Sequence, residues 1–178
     1  MNKREMWNLI TRYLVLLILG LFQLRAFYLA FTPATVYPVY YILELFDRNS
    51  ELLIGNILFF KGIYVEIIQA CIAGAAYYLL FILNLTTSMK AEQRAKSLVF
   101  LVGSFLILNI IRILLFSYLA VSGGTYFDAA HNFIWYFGST IMVVVLWFVN
   151  VSLFKIKNIP IYSDFYNLFK DIKKKRRK

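Results

Sequence analysis

The chain has 178 residues, 61% of them hydrophobic, and a formal net charge of +10. Soluble domains are usually about 45–50% apolar, so this composition excludes a soluble enzyme and an intrinsically disordered chain, and the single cysteine excludes a disulfide scaffold. One integral membrane domain over 1–178 is therefore predicted.

Four apolar runs are long enough to cross a bilayer, which takes about 20 mostly apolar residues in a helix. In chain order these runs are 13–31, 70–88, 97–121 and 131–154. We therefore predict an all-α multi-pass membrane protein with about four transmembrane helices, preceded by a short segment (1–12) and followed by a basic tail (155–178).

Pro33 and Pro38 follow the first apolar run closely. Proline disfavours a continuous helix, so the first transmembrane helix is predicted to end near residue 31. A separate helix over 34–47 is then expected to lie in the outer membrane interface, where tyrosines are enriched. The alternative is that 34–47 forms a further, tilted crossing, which would move the N-terminus to the outside.

The stretch from 52 to 67 is typical of a β-hairpin or meander. The turn pairs Gly55-Asn56 and Lys61-Gly62 border two β-prone runs, 57–60 and 63–67. Strands with unpaired edges cannot face lipid. Residues 32–69 are therefore predicted to form a small cap above the outer membrane surface, made of the interfacial helix and the strands.

Basic residues are concentrated in three segments of the chain, at its two ends and between the second and third apolar runs. The tail 155–178 holds nine Lys/Arg and two Asp, and 1–12 and 86–96 each hold three basic residues and one acidic residue, whereas 32–69 holds two basic and four acidic residues. Positive loops stay in the cytoplasm, so both termini and the middle loop are predicted inside the plasma membrane. The tail is expected to contact anionic lipid headgroups rather than nucleic acid.

Cys71 is predicted to lie in the first turn of the second transmembrane helix, at the outer interface. A lone cysteine in a membrane helix is usually a small hydrophobic residue that only packs. A helix N-terminus and a nearby cation, however, both favour the thiolate form. Gly74 leaves the adjoining helix face open for a close approach. Cys71 is therefore a candidate nucleophile, with Gly74 as a supporting residue.

Arg112 is predicted to lie well inside the third transmembrane helix. Ionisable groups at such depth are costly and face the interior of a helix bundle. Asn109 is three residues earlier and therefore lies on the same helical face. Two interpretations remain open at this point: a polar clamp between helices, or a cation that serves a reaction.

His131 is the only histidine, and it begins the fourth transmembrane helix three residues after Asp128. It is either an interfacial histidine beside an N-capping aspartate or a general acid/base that the carboxylate orients. The predicted topology brings Cys71, Arg112 and His131 to the outer side from three different helices. Cys and His are typical of a nucleophile and its base, and Arg of a group that stabilises an oxyanion.

No metal or other cofactor is predicted from this set of residues. One cysteine and one histidine fall short of the ligands of a zinc site. The sequence also contains no glycine-rich phosphate loop and no dinucleotide fingerprint.

The ordered set of short motifs resembles the archaeosortase/exosortase family, whose members are multi-pass membrane cysteine transpeptidases. The set consists of Ala-Cys-Ile-Ala-Gly at 70–74, Asn109-x-x-Arg112 and Asp128-x-x-His131. The resemblance covers 55–145 and is closest to short archaeal members. Many members have Ser or Thr directly after the cysteine, where this chain has Ile72.

The resemblance implies a reaction, its substrates and the roles of three residues. Cys71 would be the nucleophile, Arg112 its electrostatic partner and His131 the acid/base. Substrates would be secreted proteins that end in a short motif, a hydrophobic helix and a basic cluster. The enzyme would cleave at the motif on the outer face and pass the product, through a thioester, to an acceptor such as a membrane lipid.

Two other functions stay open at this stage. The same site would act as a membrane cysteine endopeptidase if water resolved the thioester. Alternatively, the protein would be a non-enzymatic transport or assembly subunit in which Arg112 binds an anion or a partner helix.

Overall fold

A computed structural model describes residues 3–21, 24–123 and 137–156, which are mostly helical (75%) with one small sheet. The elements of these ranges are, in chain order, α1 (Lys3–Leu21), α2 (Arg25–Phe46), β1 (Glu51–Leu53), β2 (Ile57–Phe60), β3 (Ile63–Glu66), α3 (Gln69–Ile72), α4 (Gly74–Thr86), α5 (Ala91–Val121) and α6 (Ser139–Leu153).

Three helical segments of the described residues are long and apolar enough to cross a membrane. They are α2, Gln69–Thr86 (which contains α3 and α4) and α5. The predicted helices 70–88 and 97–121 fall on the last two of these segments. The apolar helix α6 has 15 residues in the described part of the chain, and it lies within the predicted helix 131–154.

The N-terminal region differs from the prediction of one helix over 13–31. The helix α1 ends at Leu21, and α2 begins at Arg25 after Leu24, whose backbone is left-handed with φ 60°. The helix α2 then continues through Pro33 and Pro38 to Phe46. The predicted helix end near residue 31 is therefore wrong, and 34–47 is not a separate helix.

Packing explains why α2 tolerates both prolines. Each proline removes one main-chain N–H and blocks one helical hydrogen bond, but neighbouring elements compensate such losses in apolar surroundings. Here Val36, Val39 and Leu43 are buried in one cluster with residues of β2, α3 and α5. The chain keeps these contacts only if the helix continues past the prolines.

Side-chain contacts show that α1 and α2 run antiparallel to α4, one after the other. Arg12 donates from Nη1 to the carbonyl oxygen of Thr87 (3.5 Å), just past the end of α4. Further along, Phe31 of α2 stacks on Tyr77 near the start of α4, with ring centroids 3.6 Å apart. Residue 12 therefore lies at the end of the bundle where α4 and α5 connect.

The same end of the bundle holds the end of α6 and a buried polar network. Gln93 donates from Nε2 to the carbonyl oxygen of Phe154 (2.6 Å). Asn84 donates to Ser97 Oγ (2.8 Å), and Ser97 donates to Asn150 Oδ1 (2.9 Å). These three side chains come from α4, α5 and α6 and are fully buried, so they hold the three helices in register in an apolar interior.

The strands form an antiparallel meander in the order β1-β2-β3. The prediction of a hairpin or meander is confirmed, and β1 is an additional strand at its start. Both predicted turn pairs have positive φ values: 84° and 62° at Gly55 and Asn56, and 47° and 87° at Lys61 and Gly62. Side chains of β2 that face the helices, Leu58 and Phe60, are 1% exposed and anchor the sheet at the end of the bundle opposite Thr87.

Candidate active site

Cys71 lies in the short helix α3, between the sheet and α4. The helix α3 has four residues, and Ala73 after it adopts a left-handed conformation (φ 58°, ψ 42°) before α4 begins at Gly74. The expectation that Cys71 occupies the first turn of a long helix is therefore wrong. Four residues add little macrodipole of their own, so the local backbone contributes less to thiolate formation than the sequence implied.

Arg112 and Asn109 converge on the main chain of Cys71. The carbonyl oxygen of Cys71 accepts hydrogen bonds from Asn109 Nδ2 (2.9 Å) and from Arg112 Nη2 (3.2 Å). Both donors come from one face of α5, as their spacing predicts. Asn109 is fully buried and Arg112 is half-buried. The structure thus brings these three residues together, with the two polar side chains fixing the backbone that carries the thiol.

Arg112 also connects the site to α6. Its Nη1 donates to Ser139 Oγ at 3.4 Å. Ser139 is the first residue of α6 and follows His131 by eight positions in the sequence. His131 and Asp128 lie outside the described residues. Ser139 was not among the candidates that the sequence indicated, because a serine at the start of an apolar helix has no distinguishing pattern.

A groove of about 340 Å³ opens beside Cys71, and Arg112 lines it too. Its volume falls in the range of about 300–1,000 Å³ that is typical of binding pockets. One wall comes from β3 and the residues after it, and the other from one face of α5: Ile63, Tyr64, Val65, Glu66, Ile67, Ile68, Ala70 and Cys71 on the first side, and Arg112, Ile113, Phe116, Ser117 and Ala120 on the second.

Glu66, an acidic residue at the end of β3, also lines this groove. Glu66 was not among the candidates that the sequence indicated either. A signal was present, because Glu66 interrupts an apolar, β-prone run five residues before Cys71. A lone acidic residue in a short strand is more often a solvated side chain, and only the groove shows that it shares a cavity with Cys71.

Gly74 allows a close contact between α4 and α2. The aromatic ring of Tyr28 lies over it, so that a Cβ built at Gly74 would be 2.8 Å from Tyr28 Cε1. The glycine therefore permits α2 to pack against the backbone immediately after Cys71. This contact is the close approach that the sequence indicated at this position.

Gly74→Ala is expected to destabilise the protein by about 1–3 kcal/mol, because the added methyl group overpacks against Tyr28. The matched control is Gly103→Ala on α5, where a new Cβ meets nothing within 4 Å. That variant should be neutral or more stable by up to about 1 kcal/mol, since alanine is the better helix former. Thermal unfolding of the purified protein in detergent measures both. Equal stabilities of the two variants would contradict the close contact.

The chemistry that Cys71 and Arg112 make available at the groove is that of a thiol and a guanidinium. Among the described residues, no group of three His, Cys, Asp or Glu side chains is placed to hold a metal ion. No family model, characterised protein or solved structure matches the chain. The arrangement of Cys71, Arg112 and Asn109 is therefore the observation from which a function can be inferred.

Proposed function

We propose that the protein is a membrane cysteine transpeptidase that cleaves a C-terminal sorting signal of secreted proteins, with Cys71 as the nucleophile. One observation carries the proposal: Cys71 and Arg112, which the sequence indicated independently, line the same groove at the sheet end of the bundle. The resemblance of the motifs to archaeosortases and exosortases supplies the type of reaction. A purely structural pair would have no need of an open cavity beside the thiol.

The first chemical step joins the substrate to the enzyme. The base holds the proton of the Cys71 thiol, and the thiolate sulfur attacks the carbonyl carbon of the scissile peptide bond, so that a tetrahedral oxyanion forms. As the carbon–nitrogen bond breaks, the leaving amine takes a proton from the general acid, a role for which the sequence indicates His131. The N-terminal product stays on Cys71 as a thioester, and the C-terminal hydrophobic helix leaves with a new amino group.

The second step releases the product. A hydroxyl or amine of the acceptor, such as a membrane lipid, attacks the thioester carbon, and the carbon–sulfur bond breaks. The acceptor's proton returns to the base, and the thiolate of Cys71 is restored. If water is the acceptor instead, the product carries a free carboxyl group and the protein acts as an endopeptidase.

Arg112 has two roles in this proposal. Its hydrogen bond to the carbonyl oxygen of Cys71 positions the short helix α3, and its positive charge lies at the wall of the groove where negative charge develops. A cation that is held in a site from which water is partly excluded stabilises an oxyanion more strongly than it would in water. Asn109 supports the first role by donating to the same oxygen.

The membrane arrangement we propose has four crossings. The first is formed by α1 and the beginning of α2 together, and the others by Gln69–Thr86, α5 and α6. The end of the bundle that holds Arg12, the α4–α5 connection and Phe154 faces the cytoplasm, in agreement with the basic residues there. The sheet and Cys71 then lie at the outer face of the plasma membrane.

Site-specific labelling tests this orientation in a Cys71→Ala background. Ile54 in the sheet is 98% exposed, and the Glu92 side chain at the start of α5 is 82% exposed, so the two positions are matched in accessibility. An impermeant maleimide added to intact cells should label Ile54→Cys at once and Glu92→Cys only after the membrane is permeabilised. The reverse pattern would show that the orientation is inverted.

The function is tested on the C-termini of surface proteins in the host. Cells with and without the chain are compared by mass spectrometry, and proteins that end in a motif, an apolar helix and a basic cluster should lose that signal only when the chain is present. An added headgroup mass on the new terminus indicates transfer, and a free carboxyl group indicates hydrolysis. Identical termini in both cells would instead support a non-enzymatic subunit.

A further inference from the structure

Among the described residues, β3 is an edge strand of the sheet, since the strand order is β1-β2-β3. Its pairing partner β2 lies on one side, and β3 contributes its residues to the groove. Edge strands present main-chain N–H and C=O groups that are free to pair with another chain. The groove therefore contains a row of main-chain hydrogen-bonding groups as well as side chains.

The register shows which main-chain groups of β3 point to the open side. The two-residue turn at Lys61-Gly62 has the positive φ values of a type I′ turn, so the flanking pair Phe60 and Ile63 is hydrogen-bonded. Such pairs alternate along an antiparallel ladder. Val65 therefore bonds back to β2, whereas Tyr64 and Glu66 direct their N–H and C=O groups away from it.

A hydrogen bond just after β3 supports this assignment of the residues that bond to β2. Ile67 donates its main-chain N–H to the carbonyl oxygen of Asn56 (3.0 Å), which continues the alternation by one further step. Residues 64 and 66 thus share the open edge, and residues 63, 65 and 67 share the edge toward β2. Four main-chain groups, two donors and two acceptors, therefore lie in a row with no partner strand among the described residues.

The groove runs along this open edge rather than across one face of the sheet. Successive side chains of a strand point to opposite faces, yet every residue from Ile63 to Ile68 lines the groove. Only a groove that follows the edge touches consecutive residues in this way. The opposite wall is a single helical face of α5, largely apolar, which includes Ile113, Phe116 and Ala120.

We propose that the substrate binds as an extended peptide that pairs with the open edge of β3, in parallel orientation, and so delivers its scissile carbonyl to Cys71. This inference rests on the proposed function. The peptide would satisfy the N–H and C=O groups of Tyr64 and Glu66, and its alternate side chains would pack on the apolar face of α5. Pairing with an exposed edge is a general mode of peptide recognition.

The orientation follows from the direction of β3. The strand begins beside the outer end of α5, where Lys61 Nζ lies 5.7 Å from the ring centre of Tyr118. After the strand the chain reaches Cys71, which contacts Asn109 and Arg112, about two turns deeper along α5. A substrate whose folded part lies outside and whose C-terminal helix enters the membrane runs in the same direction, so the two strands are parallel.

The test uses alkylation of Cys71 in the full-length protein in detergent, with three reagents of defined structure. The first is an acetylated alanine tetrapeptide that ends in a chloromethyl ketone; the sulfur of Cys71 displaces chloride and forms a thioether. The second carries N-methyl groups on alternate residues. The third is a chloroacetyl alanine tetrapeptide amide, with the electrophile at its N-terminus. The rate at which each reagent alkylates Cys71 is divided by the rate at which the same reagent alkylates glutathione. Iodoacetamide, which carries no peptide, measures the basal reactivity of Cys71.

Two variants separate the main chain from the side chain at residue 64. Tyr64→Pro removes an N–H that points to the open edge and leaves the bonds to β2 intact, a position where edge strands accept proline. Tyr64→Ala removes the side chain and keeps the N–H. The first reagent should label the wild type about tenfold faster than the other two, because hydrogen bonds are lost with each of them. Tyr64→Pro should lose this advantage and Tyr64→Ala should keep it, when each peptide rate is taken relative to labelling of the same variant by iodoacetamide.

Each alternative result has a distinct meaning. Equal rates for the three reagents on the wild type, or equal losses in Tyr64→Pro and Tyr64→Ala, would overturn pairing along β3 while leaving Cys71 as a reactive nucleophile. A faster rate for the third reagent would overturn the parallel orientation. If neither the peptides nor iodoacetamide alkylate Cys71, the proposed function itself fails, and the binding mode fails with it. The comparison of reagents on the wild type remains decisive even if Tyr64→Pro does not fold.

Discussion

Cys71→Ala and Cys71→Ser should each abolish the processing of C-terminal signals, with losses of at least about 10³-fold, as expected when a catalytic nucleophile is removed. The thiol is half-buried and forms no disulfide, so neither substitution is expected to unfold the protein. Serine does not replace cysteine because its hydroxyl needs far stronger activation than a thiol. The measurement is the fraction of processed C-termini in cells that produce each variant at equal level.

Ile72→Val is the matched control for this result. Ile72 is 1% exposed and belongs to the core beside the site, so loss of one methyl group costs about 0.5–1.5 kcal/mol without touching the groove. Processing should persist in Ile72→Val despite this destabilisation. Near-normal processing by Cys71→Ala would remove the thiol from the mechanism, and a loss in Ile72→Val would show that the assay reports stability instead.

Arg112→Lys should reduce the rate of thioester formation by about 10²–10³-fold, comparable to the loss of an oxyanion donor in other enzymes. The guanidinium donates to the carbonyl oxygen of Cys71 and to Ser139 Oγ from its two terminal nitrogens. Lysine is a compact point charge without this planar fork, so it retains the charge and loses the geometry. Hydroxylamine-sensitive acyl-enzyme, measured in a single turnover, reports the step directly.

Asn109→Ala should be impaired less than Arg112→Lys, because Arg112 still donates to the Cys71 carbonyl oxygen when the amide is gone. Ser139→Ala, which removes the other acceptor of the guanidinium, should also be milder, since one hydrogen bond contributes about 0.5–1.5 kcal/mol. Acyl-enzyme at the wild-type level in Arg112→Lys would show that the guanidinium is not needed for the first chemical step, and its assigned role would have to be abandoned.

Local patterns predicted the features that depend on a few neighbouring residues. The two turn pairs predicted the meander because glycine and asparagine accept positive φ values regardless of what surrounds them. Asn109 and Arg112 were placed on one face because helical periodicity decides this before any packing. The apolar runs indicated membrane-spanning helices, as α5 illustrates, because the length of a crossing is set by the bilayer.

Other features depended on contacts between distant segments, and only the tertiary structure decided them. How far Pro33 and Pro38 destabilise α2 depends on what packs around this helix. The buried contacts of Val36 and Val39 compensate for the hydrogen bonds that the prolines remove. Ala73 adopts a left-handed backbone that alanine on its own disfavours. The position of β3 beside α5 cannot be predicted from the local sequence. It results from the burial of Leu58 and Phe60, which fixes the sheet on the helices. The groove beside Cys71, and with it the position of Glu66, is a consequence of how the sheet docks on the helices.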